Sequence, residues 1–137
     1  MFGYKEDGDG TRTELVTHID EDRLDLGELL IAVLINDQTA HEAETVAAAL
    51  QDTDRATLFG TNTSGDASTY EFIELSDGSA IYLPVSRSYT PLGKLIGRKG
   101  LTPDVVVKSV PESGGFGIES QFNRAYEYLD GRLPPFR

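Results

Sequence analysis

Residues 29–35 read LLIAVLI and form the most apolar run of the chain, and Asn36 and Asp37 follow them. The run is short, rich in branched side chains and without polar alternation. Such a run, bounded by turn-forming residues, predicts a β-strand that is buried on both faces. A strand of this kind needs packed layers on either side, so it already indicates an α/β protein.

The segment after this strand predicts a helix. Thr39 and Glu42 have the spacing of a capping box, in which the threonine caps the helix and the glutamate lies three residues later. The helix should end near residues 52–53. Four of its apolar residues fall on one helical face: Ala40, Ala43, Ala47 and Leu50.

Upstream of this pair, residues 2–18 predict a polar hairpin whose turn is the Asp-Gly-Asp-Gly of residues 7–10. The turn also resembles part of a calcium loop, but the further oxygen ligands and the closing glutamate are missing at the required offsets. His18 is expected to be an ordinary strand residue, and residues 21–26 an acidic connector.

Downstream, strands are expected to alternate with a second helix. The strand at residues 80–87 has alternating apolar side chains at Ile81, Leu83 and Val85, which predicts core packing. Together the elements predict an α/β fold with a mixed sheet and two main helices. The other strands are expected at residues 56–59, 69–75 and 105–107. A closing amphipathic helix at residues 121–129 should bury one side, formed by Phe122, Ala125, Tyr126 and Leu129.

The composition is that of one globular domain of 137 residues, 39% hydrophobic and 26% charged. The net charge of −11 repels nucleic-acid backbones and anionic membrane surfaces, so neither is expected as a partner. Because the chain has no cysteine, disulfides and cysteine metal sites are excluded. The N-terminus has no apolar signal core, and no run approaches membrane-spanning length.

Several motifs occur in one order and spacing between Ile31 and Val107, with weaker matches that extend to Leu129. They are VLIN at 33–36, ALQD at 49–52, GTNTSG at 60–65, LSDGSA at 75–80 and GRKGLTPDVVV at 97–107. Together these motifs resemble the catalytic domain of tail-specific, or C-terminal processing, serine peptidases. The resemblance implies a spiral ββα domain of the ClpP and crotonase type.

The resemblance also implies a serine nucleophile activated by a neutral lysine, with a glutamine that helps to place the lysine. Matching Glu44 to the closing glutamate of the family's nucleophile motif puts His41 at the serine position. Asp66 then takes the lysine position and Tyr70 the glutamine position. Since a serine peptidase needs a hydroxyl beside a base, no intact catalytic residue is expected.

A further family motif, Arg-x-Asn-x-Gly-Gly, supplies a backbone donor to the oxyanion hole and is not found before Phe2. We therefore expect residues 1–137 to be a single peptidase-like domain that lacks the N-terminal part of the family's catalytic domain.

Two sharper alternatives involve the same residues. If the fold is retained, His41 and Asp66 should face each other within hydrogen-bonding or ionic distance, and a hydroxyl from Thr39, Ser64 or Ser68 would complete a rewired triad. A metal site of His41, Glu42 and Asp66 is disfavoured because adjacent helical residues point in different directions.

The basic residues Lys94, Arg98 and Lys99 form a small cluster in an acidic chain. They are expected to be solvent-exposed charges on a loop, although such a cluster also suits an acidic partner or a peptide carboxylate.

The sequence thus predicts a non-catalytic peptidase-like domain that binds a peptide or protein, or is a structural piece of a larger protein. The alternatives are an active serine-type peptidase with altered or complemented catalytic residues, and a remnant without a selected function. No cofactor or metal is expected. The resemblance suggests a periplasmic or secreted location. Because little in the chain can cover residues 29–35, the chain is expected to form a homo-oligomer or to be completed by a partner.

Overall fold

The computed structural model describes residues 3–16, 27–97, 99–108 and 118–131. The predicted N-terminal hairpin is confirmed, with strand β1 at Gly3–Asp7 and strand β2 at Arg12–Leu15. Its turn is held by Asp9, whose carboxylate accepts a hydrogen bond of 2.8 Å from the Thr11 N–H. This bond lowers the pKa of Asp9. His18 and the connector at residues 21–26 lie outside the described residues.

The hairpin belongs to an antiparallel sheet that also contains strand β5 at Thr69–Glu74 and strand β6 at Ala80–Tyr89. The strand order is β2-β1-β6-β5, and the turn between β5 and β6 contains Gly78. Besides β2, strand β1 pairs with β6 at residues 86–89 alone. The outer half of the β5–β6 hairpin therefore projects as a two-stranded arm. Ile81 and Leu83 are therefore 40% and 43% exposed, and the prediction that they pack in the core is wrong.

The second sheet is parallel and contains strand β3 at Ala32–Ile35, strand β4 at Thr57–Gly60 and strand β7 at Val105–Val106, in the order β3-β4-β7. Strand β3 is an edge strand, since β4 alone pairs with it among the described strands.

The prediction of a strand at residues 29–35 buried on both faces is wrong in its extent and its burial. Leu29 and Leu30 precede the strand and are 65% and 56% exposed, and Leu34 within it is 36% exposed. Only Ile35 is fully buried, because the described residues cover one face and one edge of this strand.

Helix α1 spans Glu42–Asp52 and ends where predicted, with Thr53 as its C-cap. The predicted capping box is wrong, because the N-cap is His41 and no side chain caps the helix. The Thr39 hydroxyl instead accepts a hydrogen bond from the Asn36 N–H in the preceding turn. The buried face of α1 also differs from the predicted one and consists of Glu44, Thr45, Ala47, Ala48 and Ala49.

Helix α2 spans Ile118–Leu129 and buries Gln121, Ala125 and Tyr128. Phe122 and Tyr126, from the predicted buried side, are 58% and 53% exposed, so that prediction is wrong except at Ala125. Ala125 and Tyr128 pack against Phe59 and Val105 of the parallel sheet, and this contact defines the buried face of the helix.

The core consists of two clusters on the parallel sheet. One cluster lies between the sheet and α1 and comprises Ile35, Ala47, Ala48, Leu58, Ala67, Ile96 and Leu101. The other lies against α2 and comprises Phe59, Val105, Ala125 and Tyr128.

The predicted α/β class with two main helices is confirmed, and the strands divide between two sheets. Neither described helix has the length and apolar character required to cross a bilayer.

Candidate functional site

His41 is the last residue of the loop between β3 and α1, and its backbone has φ 54° and ψ −127°. This conformation is rare for a residue with a side chain, and it raises the free energy of the backbone. A strained residue between a strand and a helix exposes its side chain, as in the nucleophile elbow of hydrolases. The imidazole of His41 is accordingly exposed.

Asp66 and Tyr70 lie beside this turn. The His41 N–H donates a hydrogen bond of 2.8 Å to the Asp66 carbonyl, and the Ser64 N–H donates one of 2.9 Å to the Thr39 carbonyl. The Tyr70 hydroxyl donates to the Asp66 carboxylate at 3.0 Å, and this bond raises the pKa of Tyr70. The rings of His41 and Tyr70 are nearly perpendicular, with a centroid distance of 6.5 Å.

The structure thus brings together the three residues that the resemblance singles out, but their contacts differ from the expected ones. The His41 and Asp66 side chains, both within the described part of the chain, form neither a hydrogen bond nor an ion pair. The expected pairing is wrong because the two residues meet through their backbones, while the Asp66 carboxylate binds the Tyr70 hydroxyl.

Glu44 lies beneath the site and is fully buried. Its Oε1 accepts hydrogen bonds from the Thr63 hydroxyl and, at 2.8 Å, from the Gly65 N–H. The Thr63 oxygen in turn accepts the Leu101 N–H at 2.7 Å. Glu44 therefore fixes the loop that carries Asp66, and its other oxygen has no partner among the described residues.

Gly100 allows the second loop to approach this one closely. Its φ is 65°, and a Cβ atom at this position would lie 2.2 Å from the Thr63 carbonyl oxygen. Any larger residue would push the two loops apart, so the glycine is required by the close approach.

Two depressions adjoin the segment between Asp66 and Tyr70. A small cavity of about 160 Å³ lies on the side of His41 and includes Lys5 and Leu15 from the N-terminal hairpin. A larger open groove of about 1000 Å³ lies on the other side and includes Asp66 and Tyr70. Ser68 lines both, so the segment forms a ridge between them.

The remaining candidate residues do not join the site. Lys94 forms an ion pair of 3.1 Å with Asp52, and Lys99 is an exposed loop residue. Arg98 lies outside the described residues. In the part of the chain that the structure describes, no group of three His, Asp or Glu residues is placed to hold a metal ion.

The chemistry available at the site is limited because the His41 imidazole is hydrogen-bonded to no hydroxyl of the described residues, while the Tyr70 hydroxyl binds Asp66. Within the described residues, neither Ser64 nor Ser68 hydrogen-bonds the His41 imidazole, and the Thr39 hydroxyl is engaged with Asn36. The rewired triad therefore has no hydrogen-bonded nucleophile in this arrangement.

Lys5 is a residue of the site that the sequence analysis missed. No local sequence pattern marks it, because only the pairing of β1 with β6 brings it to the small cavity.

Comparison with known proteins places this site in a family context. Residues 4–107 match peptidase family S41. The carboxy-terminal-processing protease of Bartonella bacilliformis is 45% identical over 83 residues, which cover 60% of this chain and 19% of that protein. The carboxy-terminal processing protease CtpA of Bacillus subtilis is 40% identical over 73 residues, which cover 53% of this chain and 16% of that protein.

Solved structures agree with these matches. The photosystem II D1 C-terminal processing protease superposes with a TM-score of 0.54 at 35% identity, over 67% of this chain and 23% of that chain. A lipoprotein from Streptococcus agalactiae superposes with a TM-score of 0.71 over 96% of this chain and 45% of that chain, and at 18% identity this likeness concerns the fold alone. The chain spans about a fifth of the length of the curated relatives it matches.

Proposed function

Because this chain belongs to peptidase family S41 and resembles its C-terminal processing members, we propose that it is a peptidase-like domain that binds peptides without cleaving them. The proposal combines two features of the site. The cavity and groove where a peptide would lie are present, while the residues at the expected catalytic positions have the wrong chemistry.

The observation that carries the proposal is the position of His41. It occupies a strained turn between a strand and a helix, the kind of turn that exposes a nucleophile in hydrolases. This geometry supports matching His41 to the family's serine position. An imidazole there has no hydroxyl to form an acyl intermediate with a peptide carbonyl.

The charge beside His41 supports the same conclusion. The family's mechanism requires a neutral amine that removes the proton of the serine. Here Asp66 supplies a carboxylate in the matching position, hydrogen-bonded by Tyr70. The Asp66 carboxylate, which accepts a hydrogen bond from Tyr70, is an anion and not the neutral amine that the mechanism requires. It also forms no hydrogen bond with His41.

The proposal is tested by separating binding from turnover. The purified chain should not hydrolyse an unfolded protein substrate or a C-terminal tail peptide, and a fluorophosphonate probe should not label it. An active tail-specific peptidase serves as the positive control. The same tail peptide should nevertheless perturb the amide NMR signals of residues around His41 and Ser68.

Two results would contradict the proposal. Turnover that disappears in His41→Ala would establish the alternative of a working peptidase with altered residues. Absence of any peptide-induced NMR change over a range of tail peptides would contradict the binding role.

A further inference from the structure

The arm of β5 and β6 carries aromatic side chains on one of its faces. Phe72 lies directly opposite Tyr82 in the strand register, and Tyr70 lies opposite Pro84. Because side chains alternate between the two faces of a strand, these four residues share one face, which we call the aromatic face. The rings of Tyr70 and Tyr82 are stacked, with centroids 4.9 Å apart. Phe72 and Tyr82 are exposed, so the aromatic face is open to a ligand.

The aromatic face continues into the large groove, since Tyr70 and Pro84 also line that groove. Carboxylates outnumber cations among the charged residues that line it, which are Glu6, Asp7, Asp66 and Arg87. Asp66 accepts the hydrogen bond of the Tyr70 hydroxyl and forms no ion pair with any described residue. A cationic side chain of a ligand would therefore find an unpaired carboxylate next to the aromatic face.

A buried hydroxyl in the groove also lacks a partner. Ser86 lines the groove and is 6% exposed, and its hydroxyl forms no hydrogen bond with any described residue. A buried polar group without a hydrogen bond is energetically unfavourable. The carbonyl group of a bound polypeptide would supply the missing acceptor.

These features suit a proline-rich polypeptide. A polyproline II helix has no internal hydrogen bonds, so its carbonyl groups are free to accept them, and such helices dock in grooves lined by aromatic side chains. We propose that the aromatic face and the groove bind a proline-rich segment of a partner protein, and that a basic residue of this segment pairs with Asp66. The net charge of −11 favours the same basic partner. This inference rests on the proposed peptide-binding function and names the class of peptide.

Two peptides with acetylated and amidated ends test the inference by NMR titration. One is Arg-Pro-Pro-Pro-Pro-Pro-Arg, with arginine at both ends because the segment could lie in either direction, and the other has alanine in place of every proline. The proline peptide should bind on the order of tenfold more tightly, because its helix is preformed. It should shift the amide signals of Tyr70, Phe72 and Tyr82. The blocked ends ensure that no terminal carboxylate contributes.

Variants of the aromatic face test where the peptide binds. Tyr82→Ala should weaken binding of the proline peptide on the order of tenfold, as expected for an aromatic contact at the centre of an interface. Tyr82→Leu keeps an apolar side chain in β6 but lacks the flat ring, so it should weaken binding similarly. Phe122→Ala is the matched control, because Phe122 is an exposed aromatic residue on α2 and lies outside the groove. It should leave the affinity unchanged.

A third peptide, with glutamate in place of both arginines, tests the charge. It should bind the unaltered chain on the order of tenfold more weakly than the arginine peptide. Asp66→Asn retains an oxygen acceptor for the Tyr70 hydroxyl and should remove most of this difference. Asp54→Asn should preserve the difference, because Asp54 is exposed and does not line the groove.

Four results would contradict the inference. Equal affinity for the proline and alanine peptides would show that the surface does not select a polyproline II helix. Equal losses in Tyr82→Ala and Phe122→Ala would indicate general apolar attraction, and a preference for arginine that persists in Asp66→Asn would refute the role of Asp66. If the proline peptide does not bind while a tail peptide still perturbs the signals around His41 and Ser68, this inference fails and the proposed function stands. If neither binds, both fail.

Discussion

His41 shows how a single residue can keep a costly backbone conformation. A non-glycine residue in a sparsely populated region of φ and ψ costs about 1–3 kcal/mol. Here the cost is offset by the hydrogen bond from the His41 N–H to Asp66 and by the burial of the helix that follows. Such strain concentrates at functional sites, which is why the turn supports the proposed site although the catalytic side chains differ.

Glu44 provides the prediction at the residue scale. Glu44→Ala removes the acceptor of both the Thr63 hydroxyl and the Gly65 N–H in a buried setting. The free energy of unfolding should fall by about 3 kcal/mol, because buried donors left unpaired each cost 1–3 kcal/mol. Urea denaturation followed by circular dichroism measures the change.

Two further variants control this experiment. Glu44→Gln retains one carbonyl oxygen as acceptor and should lose clearly less stability than Glu44→Ala. Glu42→Ala removes an exposed carboxylate from the same helix and should change stability little. Equal losses in Glu44→Ala and Glu42→Ala would show that the buried carboxylate does not hold the loop.

At the scale of elements, α1 is fastened at its two ends in different ways. Its N-terminus depends on the backbone turn at His41 and lacks a side-chain cap. Its last residue, Asp52, binds the loop after β6, accepting hydrogen bonds of 3.1 Å from the Leu92 N–H and the Lys94 ammonium. The helix thereby fixes the loop that follows the antiparallel sheet.

This contact predicts a pH dependence. Burial raises the pKa of Asp52, but hydrogen bonds with Thr90, Lys94 and Leu92 outweigh it, so the pKa lies below its ordinary value of 3.8. A lowered carboxyl pKa stabilises the fold above pH 3.8 and loses this contribution as the pH falls through the folded-state pKa. The stability difference between the unaltered chain and Asp52→Asn should be about 1 kcal/mol at neutral pH and shrink below pH 3.8.

Chemical denaturation of both proteins across this pH range measures the difference. Asp54→Asn is the matched control, since Asp54 is exposed and forms no ion pair within the described residues. A stability gap for Asp52→Asn that stays constant from neutral pH to strongly acidic pH would refute the role given to the ionised carboxylate.

At the scale of the whole molecule, several pairs of large apolar side chains among the described residues remain exposed. The arm of β5 and β6 exposes Phe72 and Tyr82, which are 67% and 65% accessible. Helix α2 exposes Phe122 and Tyr126, and the approach to β3 exposes Leu29 and Leu30. Contiguous apolar surface of this kind marks interaction sites in soluble proteins.

Self-association through residues 29–35 therefore stays our prediction for the isolated chain. Light scattering at micromolar concentrations should give a mass above that of the 14.9 kDa monomer. Added salt should increase the association, because it screens the repulsion between chains of net charge −11.

Leu30→Lys should weaken this association, whereas Leu92→Lys, at a leucine that is 67% exposed on the loop after β6, should not. A monomer that unfolds cooperatively and keeps its mass at every concentration would contradict the prediction. Equal weakening by both variants would place the contact elsewhere on the surface.

The order of the elements, the C-terminal end of α1 and the N-terminal hairpin were determined by the sequence itself. Turn residues such as Asp9 and the Gly78 of the β5–β6 turn act over a few positions, so local reasoning finds them. The family motifs likewise lie in contiguous segments and could be recognised without coordinates.

Only the tertiary structure decided which apolar surfaces are covered and which polar side chains meet. Periodicity identifies an apolar face but not the neighbour that will cover it, so α2 buries Tyr128 and exposes Phe122. Tyr70 binds the carboxylate expected to pair with His41, and strand pairing brings Lys5 to the cavity. The pairing of β1 with β6 joins residues far apart in the chain, and the partner that Tyr70 binds depends on distances in the folded loop that no local pattern of side chains encodes.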